Sequence, residues 1–237
     1  MGVSPECAAA CANSPAAVKE SGQRTIFASG LGVYHRGRWQ LRSVTFAAGP
    51  GFTGIACDGE AGQTALLALL AGQAAPTRGE LRVLGADMHT HRGRAEIRRR
   101  VALVPPPGRP RGFTVHGLVT YSAWLLGVRA ARRHARVTAA LDRLNLAGWA
   151  NCPVAAVPED VARRAWLAAC TTGEPEPDLL LVDGLLDGIK DEDAVTLAAC
   201  LRTVGAGATV LAGRDATRLG LCCGRLCTLT GGIATDG

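Results

Sequence analysis

The segment PDLLLVDG, residues 177–184, carries the clearest structural signal in the chain. Its run of leucine and valine is followed at once by a carboxylate, Asp183. A short continuous apolar run of this kind predicts a strand buried on both faces, as in a parallel central sheet. Similar short strands are predicted at 54–57, 101–104 and 208–211, and helical segments are predicted between the strands at 64–70, 96–100 and 191–204. Strands that alternate with helices predict an α/β domain with a mostly parallel sheet.

The N-terminal part of the folded region has a different pattern. Residues 25–34 and 40–46 have strand character, and the polar turn HRGR at 35–38 separates them, which predicts an antiparallel β subdomain. Residues 1–24 are small, rich in Ala and Cys and without a period, so we expect a mobile arm. The remaining residues, 25–237, fit one domain.

A helical subdomain is predicted in the middle of the chain, at about residues 106–172. The strand at 101–104 ends at three prolines, and from residue 114 to 172 the apolar spacing is helical throughout. The clearest helical segments are 137–144 and 161–169. This stretch interrupts the sheet and therefore forms a lobe of its own.

Composition predicts a folded cytoplasmic chain. Apolar residues make up 48% and charged residues 19% of the 237 residues, which excludes general disorder. No apolar stretch approaches the roughly 20 residues that span a bilayer, and the N-terminus lacks the basic and apolar regions of a secretory signal. The nine cysteines have no CxxC spacing and no adjacent histidine, which favours free thiols over a metal site.

Four sequence segments, in their order along residues 25–237, resemble conserved segments of the ATP-binding-cassette (ABC) family. They are LALLAGQAAPTRGELRVLG (67–85), RRRVALVPP with the following FTV (98–115), PDLLLVDG (177–184) and GATVLAGRD (207–215). The resemblance implies a P-loop NTPase-like α/β cassette with an N-terminal antiparallel β subdomain and an α-helical subdomain. It also implies a nucleotide-binding subunit that uses ATP and Mg²⁺ on the inner face of the cell membrane, attached to a membrane-spanning transporter subunit.

The resemblance also indicates which residues would bind nucleotide. Tyr34 takes the place of the aromatic residue that stacks on adenine, and Gly62, Gln63 and Thr64 close the P-loop octet CDGEAGQT. Asp183 takes the place of the aspartate after the Walker B strand. Thr64 and Asp183 are the implied magnesium ligands.

Five positions that carry the chemistry in that family differ in this chain. The substituted positions are the P-loop lysine (Gln63), the magnesium-sensing glutamine (Pro105 and Pro106), the signature (VPEDV, 157–161), the catalytic glutamate (Gly184) and the switch histidine (Gly213 and Arg214). A P-loop needs its lysine because backbone N–H groups alone do not neutralise the β and γ phosphates. Glycine has no side chain with which to activate water, so we assign no catalytic residue.

Acidic side chains strengthen this expectation. Asp58 and Glu60 lie inside the octet, and Glu159 and Asp160 stand where the signature has glycines. At about 5 Å and an effective dielectric near 20, each carboxylate would repel a unit phosphate charge by roughly 3 kcal/mol. The sequence therefore predicts weak or absent binding of ATP and Mg²⁺.

Three functions remain open at this point. The favoured hypothesis is a degenerate transporter subunit that acts as a structural or regulatory partner, with the apolar residues 124–126 as candidate contacts and a paralogous subunit as a further partner. The second is a slow ATPase in which Arg214 does the work of the lysine. The third is nucleic-acid binding through two arginine clusters, without interleaved aromatic residues for base stacking. The clusters are Arg92, Arg94, Arg98, Arg99 and Arg100, and Arg129, Arg132, Arg133 and Arg136.

Overall fold

The computed structural model describes residues 25–204, 206–230 and 233–236, so the arm predicted for 1–24 lies outside the described residues. The strands are β1 (Ile26–His35), β2 (Arg38–Ala48), β3 (Gly51–Cys57), β4 (Arg78–Val83), β5 (Ala86–Asp87), β6 (Val101–Val104), β7 (Leu179–Asp183), β8 (Ala208–Gly213), β9 (Arg225–Thr230) and β10 (Ile233–Asp236). The helices are α1 (Glu60–Leu70), α2 (His91–Arg100), α3 (Val115–Leu125), α4 (Ala130–Arg143), α5 (Glu159–Thr171), α6 (Asp191–Val204) and α7 (Ala216–Gly220).

The described strands form one ten-stranded sheet in the order β5-β4-β1-β2-β10-β9-β3-β8-β7-β6. Strands β9, β3, β8, β7 and β6 run parallel to one another. Strand β10 pairs antiparallel with β9, and β1 pairs antiparallel with both β2 and β4. Every residue of β7 is buried, because helices cover both faces of the parallel half. The predicted α/β class, with a parallel core and an antiparallel N-terminal part, is confirmed.

The predicted segment boundaries hold for β6 and α6, but two helices begin earlier than expected. Helix α1 begins at Glu60 instead of Thr64, since Glu and Ala are good helix formers and an acidic residue suits the first turn. Helix α2 begins at His91 instead of Glu96. Its start is capped by Thr90, whose Oγ1 accepts a hydrogen bond from the Gly93 backbone N–H at 3.0 Å.

Two apolar clusters hold the layers together. One packs α1 and the antiparallel strands against one face of the sheet, and the other packs the opposite face against α5, α6 and the lobe of α3 and α4. Helix α5 belongs to both the lobe and the second cluster, because most of its residues are buried. The lobe is therefore joined to the parallel sheet through α5.

Gly93 offers a test of the early start of α2. A Cβ at this position would lie 2.0 Å from the backbone oxygen of Asp87, a contact that no relaxation of a side chain can relieve. We predict that Gly93→Ala lowers the free energy of unfolding by about 2 kcal/mol, measured by urea denaturation. The control is Gly148→Ala, where nothing lies within 4 Å. Equal unfolding midpoints for the two variants would contradict this packing of α2.

Candidate functional site

A cavity of about 270 Å³ lies where the carboxyl ends of three neighbouring parallel strands meet, at Cys57 of β3, Asp183 of β7 and Gly213 of β8. This edge of an open parallel sheet is where ligands bind in α/β proteins. The lining residues are Glu60, Gln63, Thr64, Pro106, Pro107, Arg163, Asp183, Gly184, Asp187 and Arg214. The structure thus brings together Gln63, Thr64, Asp183, Gly184 and Arg214, as the resemblance implied.

The P-loop octet adopts a shortened loop. Only residues 58 and 59 separate β3 from α1, so most of the octet is helical. The backbone N–H of Asp58 donates to the Leu229 oxygen at 3.1 Å, and that of Gln63 donates to the Gly59 oxygen at 3.3 Å. Those two N–H groups are therefore engaged within the protein and are not directed at a ligand. Gly62 packs near Leu229 and does not line the cavity.

Gln63 and Asp183 form a buried pair at the back of the cavity. The amide Nε2 of Gln63 donates to Asp183 Oδ1 at 2.5 Å, and the two residues are 5% and 6% exposed. Burial raises the pKa of the Asp183 carboxyl, the Gln63 hydrogen bond opposes that rise, and the charges of Asp187 and Glu60 add to it. The carbonyl Oε1 of Gln63 is buried and has no hydrogen-bond partner among the described residues.

Gly184 has a backbone that disfavours a glutamate. Its φ is +61°, in the left-handed region, and a Cβ there would lie 3.5 Å from Asp187 Oδ2. A side chain at this position would carry the strain of that conformation, about 1–2 kcal/mol. A glutamate at position 184 would therefore have to adopt a strained backbone conformation.

Asp187 was missed in the sequence analysis, although it follows the Walker B strand by four residues. Its two carboxylate oxygens accept the backbone N–H of Arg214, at 3.0 and 3.2 Å. The Arg214 guanidinium stays farther away, 3.8 Å from Asp187 and 3.9 Å from Glu60. These distances give ion pairs without hydrogen bonds, and the Arg214 side chain remains 60% exposed.

The carboxylates at the signature position are paired, which corrects the repulsion expected from sequence. Arg109 donates to Glu159 at 2.9 Å and Arg163 donates to it at 3.0 Å, while Arg164 donates to Asp160 at 2.6 Å. The Arg109 hydrogen bond, followed by that of Arg163, lowers the pKa of Glu159 against the opposing effect of burial. The net charge at the start of α5 is therefore largely compensated.

Arg163 is buried and is held by the loop after β7. Its Nη1 donates to the backbone oxygens of Leu185 at 2.6 Å and Asp187 at 2.8 Å, and more weakly to that of Gly184 at 3.4 Å. Together with Glu159, these carbonyls use most of its donors. Arg163 lines the cavity, and its Nε and Nη1 groups are engaged within the protein.

Tyr34 lies outside this cavity but beside a second, wider one of about 610 Å³. The two cavities share Glu60 and Thr64, so they adjoin at the start of α1. Tyr34 is 49% exposed, and its ring makes an edge contact with Trp39, with centroids 5.2 Å apart. An aromatic side chain is therefore available near the P-loop helix, as the resemblance implied.

The side chains that line the cavity do not fit a magnesium triphosphate. Three carboxylates line it, the lysine position is a neutral amide bonded to Asp183, and Arg163 is engaged elsewhere. Among the described residues there is no group of three His, Cys, Asp or Glu side chains that could hold a metal ion. Thr64 and Asp183 would be the nearest equivalents of the family's magnesium ligands.

The fold and the position of the cavity define the class as a P-loop-type α/β cassette. No protein-family model matches the chain. It is 32% identical over 204 residues to the hemin import ATP-binding protein HmuV of Bradyrhizobium diazoefficiens, covering 82% of this chain and 75% of that protein. The chain therefore belongs to the ABC transporter family, as a nucleotide-binding-type subunit.

Solved structures agree on the fold. CbiO1 from Clostridium perfringens, described as part of the ABC transporter complex CbiONQ, superposes with a TM-score of 0.78 at 17% identity, covering 91% of this chain and 89% of that one. The ATP-binding cassette MJ0796, solved as a dimer in a post-hydrolysis state with ADP and Pi, gives 0.75 at 15% identity, covering 90% and 97%. At these identities the likeness concerns the fold alone.

The Glu159 pairing generates a stability prediction. The pKa of Glu159 is lower in the folded protein than in the unfolded chain, where it is about 4.3. The ionised Glu159 therefore adds to the free energy of unfolding above that unfolded pKa, and this contribution is lost as the pH falls through the folded pKa. We predict that Glu159→Gln lowers the free energy of unfolding at pH 7 by about 1 kcal/mol and flattens its decline below pH 5.

Glu96→Gln is the matched control, since Glu96 and Arg100 form an i,i+4 pair like that of Glu159 and Arg163, but both partners are solvent-exposed. The measurement is urea denaturation followed by circular dichroism from pH 3 to pH 8. An effect of Glu159→Gln no larger than that of Glu96→Gln would show that pairing with the buried Arg163 adds nothing to stability.

Proposed function

We propose that this chain is a degenerate ABC subunit that binds nucleotide weakly or not at all and does not hydrolyse ATP alone. The observation that carries the proposal is the Gln63–Asp183 hydrogen bond, 2.5 Å long and buried, at the place where a P-loop needs a free cation. The side-chain amide of Gln63 donates its hydrogen bond to the carboxylate of Asp183. It leaves the phosphate side of the cavity without a fixed positive charge.

The surrounding charges support the same conclusion, though unequally. The Glu60 side chain is 84% exposed, so water screens its repulsion of a phosphate to well below the roughly 3 kcal/mol expected of a shielded pair. Asp187 is mostly buried and its charge is felt more strongly. Asp187 and Asp183 are therefore the main electrostatic barrier to a triphosphate.

A transport complex is the setting we infer for the subunit. The name of HmuV refers to hemin import, and CbiO1 is described as part of a transporter complex. We therefore infer that this chain binds a membrane-spanning transporter subunit, and a paralogous nucleotide-binding subunit is a further candidate partner. No helix of the described residues is long and apolar enough to cross a membrane. We place the chain in the cytoplasm, on the inner face of the membrane, with residues 25–237 as the cassette and 1–24 as an arm.

The lobe offers apolar contacts for such a partner. Tyr121, Trp124, Leu125 and Leu126 are exposed at the end of α3, and the last three are the candidate contacts named from the sequence. Exposed tyrosine, tryptophan and leucine side chains in a row are typical of binding surfaces. This end of the lobe is the contact surface that we assign to the partner.

One observation favours the second candidate, a slow ATPase. Arg214 is exposed and is held only by long ion pairs to Glu60 and Asp187, so its guanidinium can turn toward a phosphate. Hydrolysis would still need a base, and Gly184 offers none. Arg214 can therefore assist binding but does not complete a catalytic site.

Nucleic-acid binding receives less support from the arginine clusters. Arg98 donates to the Gly72 oxygen, Arg100 bonds Asp178, and Arg136 donates to the Gly173 oxygen. Arg132 is likewise paired with Glu174. These arginines brace helix ends and loops, which leaves fewer of them to neutralise phosphates.

We predict that isothermal titration with Mg-ATP detects no binding at micromolar concentrations, and that Gln63→Lys alone restores no turnover. The new ammonium would pair with Asp183 and improve ATP binding, but Gly184 would still supply no carboxylate to activate water. The readouts are heat of binding and release of phosphate.

Gln73→Lys is the control, because it adds the same charge at an exposed position beyond the other end of α1. A micromolar signal from the unmodified protein would refute the role given to Gln63 and Asp183. Repeated turnover by Gln63→Lys would refute the role given to Gly184.

A further inference from the structure

The hairpin of β1 and β2 carries a positive charge that no neighbouring carboxylate in the sequence offsets. Residues 25–57 include no Asp or Glu, but they include Arg36, Arg38 and Arg42. All three arginines are exposed, and their side chains make no hydrogen bond or ion pair within the described part of the chain. The arginines of α5, in contrast, bond carboxylates and carbonyls of the protein itself. The charge of the hairpin is therefore available to a partner.

The tip of this hairpin extends beyond the strands on either side of it. Among the described residues, β1 pairs with β4 only as far as Gly32, and β2 pairs with β10 only at Ser43. Arg36 and Gly37 close the hairpin with φ of +48° and +81°, as in a two-residue type I′ turn. Residues 34–39 therefore form a narrow projection that can touch a flat surface.

Two aromatic rings lie between these arginines. Tyr34 and Trp39 pair across the hairpin, are 49% and 38% exposed, and meet edge to face with an interplanar angle of 63°. The Arg78 guanidinium lies over the Trp39 ring, 4.4 Å from its centroid, and its Nη2 donates to the Arg42 backbone oxygen. A Cβ on Gly32 would lie 2.9 Å from the Trp39 ring and 2.8 Å from Arg78, so both side chains cross the bare backbone of this glycine. Trp39 is therefore held in place while part of its ring faces solvent.

The arrangement of the two rings favours a lipid surface over a nucleic acid. Base stacking needs open ring faces, but Tyr34 and Trp39 contact each other and Arg78 covers one face of the indole. Tyrosine and tryptophan suit the level of the lipid headgroups, where their apolar part is buried and their polar atom stays wet. The cytoplasmic leaflet carries anionic lipid, which attracts arginines close to its surface. Charge and shape therefore both fit an anionic bilayer.

We propose that a hairpin patch binds the anionic lipid surface of the membrane directly, the patch being Tyr34, Arg36, Arg38, Trp39 and Arg42. The arginines contact lipid phosphates, and the two aromatic rings enter the headgroup layer. The proposal rests on the location proposed above, at the inner face of the membrane, and not on the state of the nucleotide cavity. This contact is separate from the apolar end of α3, which we assigned to a protein partner.

The test is flotation of the full chain with vesicles of phosphatidylcholine alone, or of phosphatidylcholine mixed equally with phosphatidylglycerol. We expect binding to the mixed vesicles only, and this binding should weaken as the salt concentration rises. The double variant Arg38→Gln, Arg42→Gln should weaken it about 25-fold, because each arginine near an anionic surface contributes about fivefold. Trp39→Ala should weaken it about fivefold, because the indole no longer enters the headgroup layer.

Two matched controls separate the hairpin patch from general effects of charge and exposure. The double variant Arg92→Gln, Arg99→Gln removes the same charge from exposed arginines of α2, which also lack partners among the described residues. Trp149→Ala removes a tryptophan of nearly equal exposure, 37%, from the lobe. Both controls should leave vesicle binding unchanged. Circular dichroism checks the fold of each variant, and if Trp39→Ala does not fold, the double arginine variants decide the outcome.

Equal binding to the two kinds of vesicle, no binding to either, or equal weakening by the two double arginine variants would each overturn the proposal. A single-stranded oligonucleotide that binds where vesicles do not, and less tightly to the Arg38→Gln, Arg42→Gln variant, would assign the hairpin patch to nucleic acid instead. None of these results changes the titration with Mg-ATP, so a failure of this inference and a failure of the proposed function are distinguishable.

Discussion

The hydrogen bond between Gln63 and Asp183 is the contact on which the character of the cavity depends. It joins the first turn of α1 to the end of β7, and both side chains are buried. A carboxylate in that position needs a cation, a hydrogen bond or a proton to be tolerated. With an amide as partner, the raised pKa of Asp183 shows that the charge is only partly compensated. A ligand that brings a cation or a hydrogen-bond donor to Asp183 would therefore improve the environment of this carboxyl group.

A chain of charged contacts links the loops around this cavity. Arg109, on the proline-rich loop after β6, bonds Glu159 at the start of α5, and Glu159 bonds Arg163. Arg163 holds the loop after β7, where Asp187 accepts the backbone N–H of Arg214 after β8. Three loops and one helix of the lobe are thus fixed by the protein itself. These internal contacts hold the lobe on the parallel sheet.

Sequence reasoning succeeded where the signal was local and failed where it was not. The buried strand β7 and helix α6 were predicted from continuous apolar runs and periodicity, which depend on neighbouring residues. The pairing of Glu159 with Arg109 joins residues 50 positions apart, and no periodicity indicates it. The early start of α1 was missed because the octet was assumed to form an open loop. The gathering of Gln63, Asp183 and Arg214 at one cavity was predictable, since parallel strands end at the same edge.

The fold of an ATP-binding cassette and the charges found at this cavity are compatible because a fold and a site depend on different residues. The superposition on solved cassettes reflects the sheet, the helices that cover it and their order along the chain. Those features depend on buried apolar side chains such as Leu180 and Leu181, none of which touches a phosphate. The binding of a triphosphate depends on a few side chains at one edge, and several of these differ. A fold stabilised by its apolar core can therefore keep its shape when side chains at that edge change.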